Sequence, residues 1–249
     1  METTSLKYDC YKHFSRVFKL KKGEVLLSIL KLSKKMETFS KKELLTLIQT
    51  SENKASEYIE NLIGKNFLSK ENEFLTVSPD QKIMLVIEAL NQGLPIDIVC
   101  RYISWKDFEL TVKNILEFMG YKTLTRQRLK INKKIFEVDI LAFHEDIILC
   151  IDCKQWKRGL GASTINHMVK KQLKRAEAVA KNLKKIKESL GERIEKKEVK
   201  ILPLIITLAE SSYKVYDKVP IVPILKLKSF LEGFYGCLKN FNVLYVNNP

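Results

Sequence analysis

The chain has 249 residues, enough for two modest domains that each bury a core. It carries 44 Lys and Arg residues against 29 Asp and Glu residues, a formal net charge of +15, which favours an anionic polymer as its partner. No segment approaches the ~20 apolar residues of a membrane span, and the N-terminus lacks the apolar core of a signal peptide. We therefore expect a soluble, cytoplasmic protein with no membrane partner.

The first third of the chain has the pattern of three helices followed by a hairpin. Residues 24–33 form a helical stripe, a capping box over Ser40-Lys-Lys-Glu43 begins a second helix, and a third runs from Ser51 to about Lys65. The alternation in FLSKENEFLTVS predicts a hairpin that turns at Glu71-Asn72. This order of elements, over about residues 20–80, resembles a winged helix-turn-helix domain, a small α+β unit.

The third helix of such a domain would enter the major groove if it read DNA. Here that helix carries Glu52, Glu57 and Glu60 beside only Lys54 and Lys65. Acidic side chains on a surface that faces a groove repel phosphates, so the domain is equally suited to dimerisation or internal packing.

A linker is predicted after a further helix over residues 81–91. The segment Asn91-Gln-Gly-Leu-Pro95 combines residue types that end helices and form turns. We therefore place the winged-helix-like domain at residues 1–93 and a second domain at residues 94–249.

The second domain is predicted to begin with an amphipathic helix over residues 105–119. Ser104 has the role of an N-cap and Asp107 that of a first-turn acid. Glu109 borders the apolar stripe of this helix, which makes it a candidate site residue, although border positions also commonly hold solvated acids. The stripe consists of Phe108, Val112, Ile115, Leu116 and Met119.

Three charges stand in the next two apolar segments, IFEVDILAFH and IILCIDCKQW. Burying an unpaired charge costs several kcal/mol, so Asp139, Asp152 and Lys154 are candidates for function. Asp152 and Lys154 are two residues apart, which puts them on the same face of a strand. If Glu145-Asp146 form a two-residue turn, Asp139 falls opposite Asp152 and the two carboxylates stand within ~5 Å.

Two carboxylates at that spacing repel each other unless a cation lies between them. Hard oxygen ligands suit Mg²⁺ or Mn²⁺, and a metal beside a lysine is the chemistry of phosphodiester cleavage. The alternative is structural: Asp139 ends a strand, and Lys154 pairs with Asp152 as an edge ion pair.

Strict alternation predicts which side chains share a face of the first strand. Phe136, Val138, Ile140 and Ala142 fall on one side, and Glu137, Asp139, Leu141 and Phe143 on the other. Cys150 and Cys153 lie within the second predicted strand, and no second ligand pair follows at zinc-finger spacing, so we discount a zinc site.

The residues E-V-D-I-L-A followed by C-I-D-C-K-Q-W resemble the PD-(D/E)xK nucleases. The resemblance is closest to the restriction-endonuclease-like branch, with its Mrr-type enzymes and archaeal Holliday junction resolvases. It implies an α/β fold in which a central mixed sheet is flanked by helices. Two positions depart from the family pattern: Val138 replaces the proline, and the middle acid is Asp152 rather than glutamate.

The resemblance also implies roles for the candidate residues. Asp139 and Asp152 would hold Mg²⁺ or Mn²⁺, with the backbone carbonyl of Cys153 as a further ligand. Glu109, on the helix before the first motif strand, would contact the ion directly or through water. Lys154 would position the attacking water and stabilise the charge on the phosphate.

A long helix is predicted over residues 163–190, where the resemblance implies a polar residue near the site. Gln172 lies in its apolar stripe as a possible accessory residue, and a satisfied structural amide is the alternative. Basic residues start at the candidate site and continue along this helix, which predicts a nucleic-acid track, with a solvated lysine-rich face as the alternative. The candidate nucleic-acid-binding residues are Lys157, Arg158 and, off the apolar stripe, Lys171, Lys174 and Arg175.

The remaining segments complete an α/β core. Residues 199–208 predict a strand, in which Pro203 indicates an edge or a bulge. The segment VPIVPIL predicts one more strand, and residues 225–238 predict a final amphipathic helix.

These features predict a Mg²⁺-dependent endonuclease that hydrolyses DNA and acts as a homodimer. A non-catalytic DNA-binding or regulatory protein on the same fold is the first alternative, and a nuclease for RNA is the second. The structure of the substrate is not specified by these residues, because one scaffold serves many nucleic-acid substrates.

Overall fold

The computed structural model of this protein describes residues 22–155, 161–190 and 198–247. The chain divides into two compact units, Met1–Asp107 and Phe108–Pro249. The predicted domain boundary at residues 93 and 94 lies within the first unit and stays a prediction. None of the helices in the described ranges has the length and hydropathy that crossing a membrane requires.

The first unit combines helices with a small antiparallel sheet. Its elements are α1 (residues 22–35), β1 (Thr38–Ser40), α2 (Lys41–Thr46), α3 (Glu52–Gly64), β2 (Ser69–Glu71), β3 (Phe74–Thr76), α4 (Pro79–Asn91) and α5 (Ile96–Val99). The predicted capping box begins α2, because the Glu43 amide donates to Ser40 Oγ (3.1 Å) and the Ser40 amide donates to Glu43 Oε2 (2.8 Å). The predicted hairpin is also present as β2 and β3, and β1, which no pattern predicted, pairs with β3.

The second unit is built on a mixed sheet of seven strands among the described residues. The strand order is β4-β5-β6-β7-β9-β8, with β10 beside β7, and this architecture confirms the predicted α/β class. Its elements, with the helix that leads into it, are α6 (Trp105–Phe118), β4 (Lys122–Ile131), β5 (Lys134–His144), β6 (Ile147–Lys154), α7 (Ala162–Lys181), α8 (Leu183–Leu190), β7 (Glu198–Thr207), β8 (Val215–Tyr216), β9 (Val219–Pro223), α9 (Leu227–Gly233) and β10 (Leu244–Asn247).

The pairing of β5 with β6 has the register that the sequence predicts. His144 pairs with Ile147 and Ile140 pairs with Ile151, so Glu145 and Asp146 form the two-residue turn. Glu145 adopts the left-handed backbone conformation that such turns require, with φ of 51°. The register is the property that brings the two candidate carboxylates to the same part of the sheet.

The predicted alternation of faces along β5 is wrong on one side of Asp139. Val138 packs in the same core cluster as Leu141 and Phe143, although strict alternation puts it on the opposite face. The cause lies on β4, where Arg126 has φ of 52° and the β4–β5 ladder lacks the pair that Arg126 and Asp139 would form. The same register continues on both sides of this gap, so the strands turn over locally without an inserted residue.

Pro203 does not mark an edge or a bulge, contrary to the sequence-based expectation. It lies in β7, which pairs with β6 on one side and with β9 and β10 on the other. On the second side, β10 pairs with residues 198–201 and β9 with residues 205–207. Pro203 falls in the interval between these two ladders, where its missing N–H disturbs neither.

Two predicted helices are shorter than expected. The helix over residues 163–190 is divided at Asn182, whose side-chain amide donates to the carbonyls of Ala178 (2.8 Å) and Lys130 (3.2 Å). In place of one helix over 225–238, α9 is flanked by 3₁₀ segments at Ile224–Lys226 and Phe234–Asn240.

Candidate active site

The two predicted acids meet on neighbouring strands. Continuing the β5–β6 register by one pair sets Asp139 opposite Asp152. Asp139 Oδ2 accepts a hydrogen bond from the Cys153 amide at 2.8 Å, which ties the carboxylate of β5 to the strand that carries Asp152. Asp152 is almost completely buried, with 1% of its surface exposed. Two carboxylates are therefore held together inside the sheet, as the sequence predicts.

Asp152 has two cationic neighbours. Lys154 Nζ donates to Asp152 Oδ1 at 2.8 Å and lies 2.8 Å from Oδ2, while Arg175 Nη1 lies 3.0 Å from Oδ1. The approach to Oδ2 lacks the geometry of a hydrogen bond, so this buried oxygen has no hydrogen-bond donor among the described residues. Oδ2 is paired with the Lys154 ammonium but accepts no hydrogen bond, so a cation could bind it in place of Lys154.

The electrostatics of the pair are unfavourable to two full negative charges. Burial is the largest cause that raises the pKa of Asp139, to about 6, and the negative charge of Asp152 is the second. The hydrogen bond from the Cys153 amide and the positive charges of Lys154 and Arg175 act in the opposite direction and lower this pKa. A bound cation would remove this repulsion, because an opposite charge within a few ångströms favours the ionised carboxylate.

Glu109 lies on α6 close to the same acids. The predicted N-cap is present, with the Asp107 amide donating to Ser104 Oγ at 3.0 Å, and it starts the helix so that Glu109 points inward and is buried. Arg126 donates to Glu109 Oε2 from Nε and Nη2, both at 3.4 Å. Burial is the largest cause that raises the pKa of the Cys153 thiol. The negative charges of Asp139, Asp152 and Glu109 raise it further, which shows that Glu109 lies near the pair.

Gln172 and Arg175 extend from α7 to the buried face of the sheet. Gln172 is fully buried; its Nε2 donates to the carbonyls of Cys150 (2.6 Å) and Leu204 (3.2 Å), and its Oε1 accepts from Arg175 Nη1 at 3.3 Å. Arg175 Nε also donates to the Glu137 carbonyl at 2.7 Å. Gln172 thus has the contacts of a satisfied structural amide, and it orients the guanidinium that pairs with Asp152.

The expectation that Arg175 lies off the apolar stripe is wrong. Its side chain is buried, and its Nε and Nη1 groups contact Glu137, Gln172 and Asp152, so it is not an exposed contact for a phosphate. Lys171 and Lys174 are exposed, as expected. The other two candidate contacts, Lys157 and Arg158, lie outside the described residues.

The sequence patterns did not predict that Arg126 and Arg175 contact the acidic residues of the site. A signal existed for Arg175, since it is three residues after Gln172 and next to Ala176, both within the stripe that faces the sheet. No comparable signal existed for Arg126, because its position depends on an irregularity within the β4–β5 ladder.

Residues 100–182 match the family model Mrr_cat, whose description is "Restriction endonuclease". The matched segment contains α6, the strands β4 to β6 and the whole of α7, so it includes every candidate catalytic residue described above. Residues 100–182 form a restriction-endonuclease-like domain. The match concerns about a third of the chain and indicates a likeness to this family of nucleases.

Three proteins that this chain resembles have names that state no activity. An uncharacterized protein of Archaeoglobus fulgidus is 26% identical over 141 residues, which are 56% of this chain and 98% of the relative. A crystal structure of a protein of unknown function, AF1548, is 21% identical with a TM-score of 0.27 and covers 40% of this chain and 44% of that one. The crystal structure of protein VC1899 from Vibrio cholerae is 14% identical with a TM-score of 0.33 and covers 89% of this chain and 53% of that one. This chain thus spans about half of each solved chain.

The restriction-endonuclease-like domain implies a divalent metal, and the carboxylate pair fits one. Asp139 and Asp152 supply hard oxygen atoms, and the repulsion between them together with the unsatisfied Oδ2 of Asp152 would be relieved by a cation. Among the described residues, no three His, Cys, Asp or Glu side chains are grouped closely enough to hold a metal ion. A metal here would therefore take two side-chain ligands and complete its shell with backbone oxygen and water.

Proposed function

We propose that this protein is a Mg²⁺-dependent endonuclease that hydrolyses phosphodiester bonds of DNA. The observation that carries the proposal is the pair of half-buried Asp139 and buried Asp152, with Lys154 on Asp152, within a restriction-endonuclease-like domain. The two carboxylates of this pair repel each other, and Oδ2 of Asp152 accepts no hydrogen bond from the described residues.

In this proposal Asp139 and Asp152 hold Mg²⁺ or Mn²⁺, and the backbone carbonyl of Cys153 adds a ligand. An ion held by these residues would supply a bound water of lowered pKa and a positive charge beside the phosphate. Glu109 acts through water, since its carboxylate is bonded to Arg126 and no third side chain joins the carboxylate pair among the described residues.

Lys154 acts on the water and on the phosphate. Its ammonium is partly exposed, so it is able to leave Asp152 and donate to the attacking water and to the negative charge that develops on phosphate oxygen. Arg175 is a positioning residue that keeps Asp152 fixed in orientation after Lys154 has moved, and Gln172 holds Arg175.

One observation favours the non-catalytic alternative. Lys154 and Arg175 together neutralise Asp152 without any metal, as in a structural ion-pair cluster. A DNA-binding protein that keeps the fold for shape would have this arrangement too, which is why the function requires a direct assay.

We also propose that residues 1–93, which lie within the first unit, form a winged helix-turn-helix domain. Its order of elements supports this proposal: three helices are interleaved with three short antiparallel strands, and the β2–β3 hairpin has the place of the wing. Glu57 and Glu60 are exposed on α3, which favours a role in forming a homodimer over reading DNA.

The test is incubation of the pure protein with labelled duplex, junction, flap and single-stranded DNA, and with RNA, each with Mg²⁺ and with EDTA. We expect internal cleavage of at least one DNA substrate that requires Mg²⁺. Cleavage of RNA alone would support the second alternative, and binding without cleavage of any substrate would support the non-catalytic one.

A further inference from the structure

The β4–β5 hairpin extends beyond the candidate site as a two-stranded ribbon, residues 126–138, which we name the basic ribbon. Its ladder runs from Gln127 paired with Val138 to Ile131 paired with Lys134. One face is covered, because Leu129 and Val138 pack into the core cluster that includes α7, with Ile131 and Phe136 against it. The other face is formed by the alternate residues Arg128, Lys130, Ile135 and Glu137.

This second face is open to solvent. Its four side chains are all exposed. Arg128 has 74% of its side-chain surface accessible, and Ile135 has 63% of its whole-residue surface accessible. Ile135 is thus a largely exposed apolar side chain among cationic residues. The face is therefore available to another molecule.

The charge of the ribbon identifies the kind of molecule. Five cations, at positions 126, 128, 130, 133 and 134, stand against one acid, Glu137. Glu137 approaches Arg128 only to 3.9 Å, and both side chains are mostly exposed, so this pair neutralises little. Lys130, Lys133 and Lys134 form no ion pair with any described residue. Such a surface matches a phosphate backbone, and a two-stranded ribbon has the width that a DNA groove admits.

The position of the ribbon connects it to the carboxylate pair. Arg126 lies directly across from Asp139 at the gap in the ladder and bonds to Glu109. Arg128 pairs with Glu137, two residues before Asp139, which corresponds to about 7 Å along the strand. A backbone lying on the ribbon would thus continue toward the place where the carboxylates are held.

The exposed lysines of α7 are less well placed. The inner face of α7 carries Gln172 and Arg175, which bond to the sheet, so Lys171 and Lys174 point away from it. A duplex on those lysines would be separated from the carboxylates by the helix itself, about 10 Å in diameter.

We propose that the basic ribbon is the main contact of this domain with the backbone of duplex DNA, next to the bond that is cut. The proposal rests on the proposed function for its location beside a cleavage site, and on charge and exposure for the contact itself. It replaces α7 as the surface that determines affinity.

The test compares two variants with equal loss of charge. The ribbon variant is Arg128→Gln, Lys130→Gln, Lys133→Gln and Lys134→Gln, and the matched helix variant is Lys170→Gln, Lys171→Gln, Lys174→Gln and Lys181→Gln; all eight side chains are exposed. Binding of one short duplex is measured at several salt concentrations without metal. Each phosphate contact contributes about one unit to the slope of log affinity against log salt.

We expect the ribbon variant to flatten the slope by about three units and the helix variant by at most about one. The reverse order, or an unchanged slope in the ribbon variant, would overturn the proposal. If the fourfold ribbon variant fails to fold, the pair Lys133→Gln and Lys134→Gln at the hairpin tip is used, with an expected loss of about two units. Wild-type protein that binds through the ribbon but never cleaves would refute the proposed function while leaving the ribbon contact established.

Discussion

The β5–β6 hairpin buries carboxylates at its turn and near its far end, and their surroundings differ. At the turn, Asp146 Oδ2 accepts from Lys200 Nζ at 2.7 Å and Oδ1 accepts from the Tyr235 hydroxyl at 2.8 Å. At the other end, Asp139 and Asp152 share one region, and Asp152 Oδ2 has no hydrogen-bond donor in the described chain.

Under the proposed function, Asp146 is a structural carboxylate and the Asp139–Asp152 pair is the functional one. Asp146 satisfies a lysine and a tyrosine and so locks the turn to β7 and to the segment around Tyr235. In the Asp139–Asp152 pair, by contrast, the two carboxylates repel each other. Burial and this repulsion raise the pKa of Asp139. Perturbed groups of this kind concentrate at functional sites.

The largest expected effect is on cleavage. Asp152→Asn and Lys154→Ala should each reduce Mg²⁺-dependent cleavage by at least about 1,000-fold, because both remove a group that acts at the reacting phosphate. The matched variant Asp146→Asn should keep cleavage within a few fold and lose stability instead, by about 1–3 kcal/mol. Cleavage at the wild-type rate by either site variant, measured in single-turnover assays, would disprove the assignment.

A second prediction concerns Arg175. Arg175→Met removes the buried partner of Asp152 and should lower the free energy of unfolding by about 3 kcal/mol in urea denaturation, since a buried charge is left less compensated. Arg128→Gln, which breaks an exposed pair, is the matched control and should change it by less than about 1 kcal/mol. Equal effects of the two variants would mean that Arg175 is a surface residue in solution.

A third prediction uses the raised pKa of Asp139. Because its pKa rises from 3.8 to about 6 on folding, the folded protein holds a proton that the unfolded chain has released between these values. This group therefore favours the folded state most at acidic pH, and that contribution is lost as pH rises from about 4 to about 6.

Metal-free wild-type protein should accordingly lose up to about 3 kcal/mol relative to Asp139→Asn across that range. The measurement is the free energy of unfolding of both proteins at several pH values with EDTA present. Parallel curves for the two proteins would show that the environment of Asp139 does not penalise its charge.

Local patterns in the sequence predicted the parts of the fold that local chemistry determines. The capping boxes at Ser40 and Ser104 and the turn at Glu145-Asp146 follow from residues within a few positions of one another. The turn alone fixed the register that sets Asp139 opposite Asp152, so the core of the candidate site was accessible from sequence.

Features that depend on distant partners were not predicted. Arg175 is buried because its guanidinium contacts Asp152 and the Glu137 carbonyl, which lie 23 and 38 residues earlier in the chain. The helical pattern around Arg175 carries no information about these distant partners. The face reversal at Val138 is caused by the backbone of Arg126 on another strand. Strand β4 itself escaped prediction, since its alternation of charged residues resembles a solvated segment.

The most direct test of the account is calorimetric titration of Mn²⁺ into wild-type protein, Asp139→Asn and Asp146→Asn at pH 7. The two variants each remove one carboxylate from the same hairpin, half-buried Asp139 or buried Asp146. We predict that wild-type protein and Asp146→Asn bind Mn²⁺ alike and that Asp139→Asn loses measurable binding. Unchanged binding by Asp139→Asn, or its loss in Asp146→Asn alone, would contradict a metal site at the Asp139–Asp152 pair.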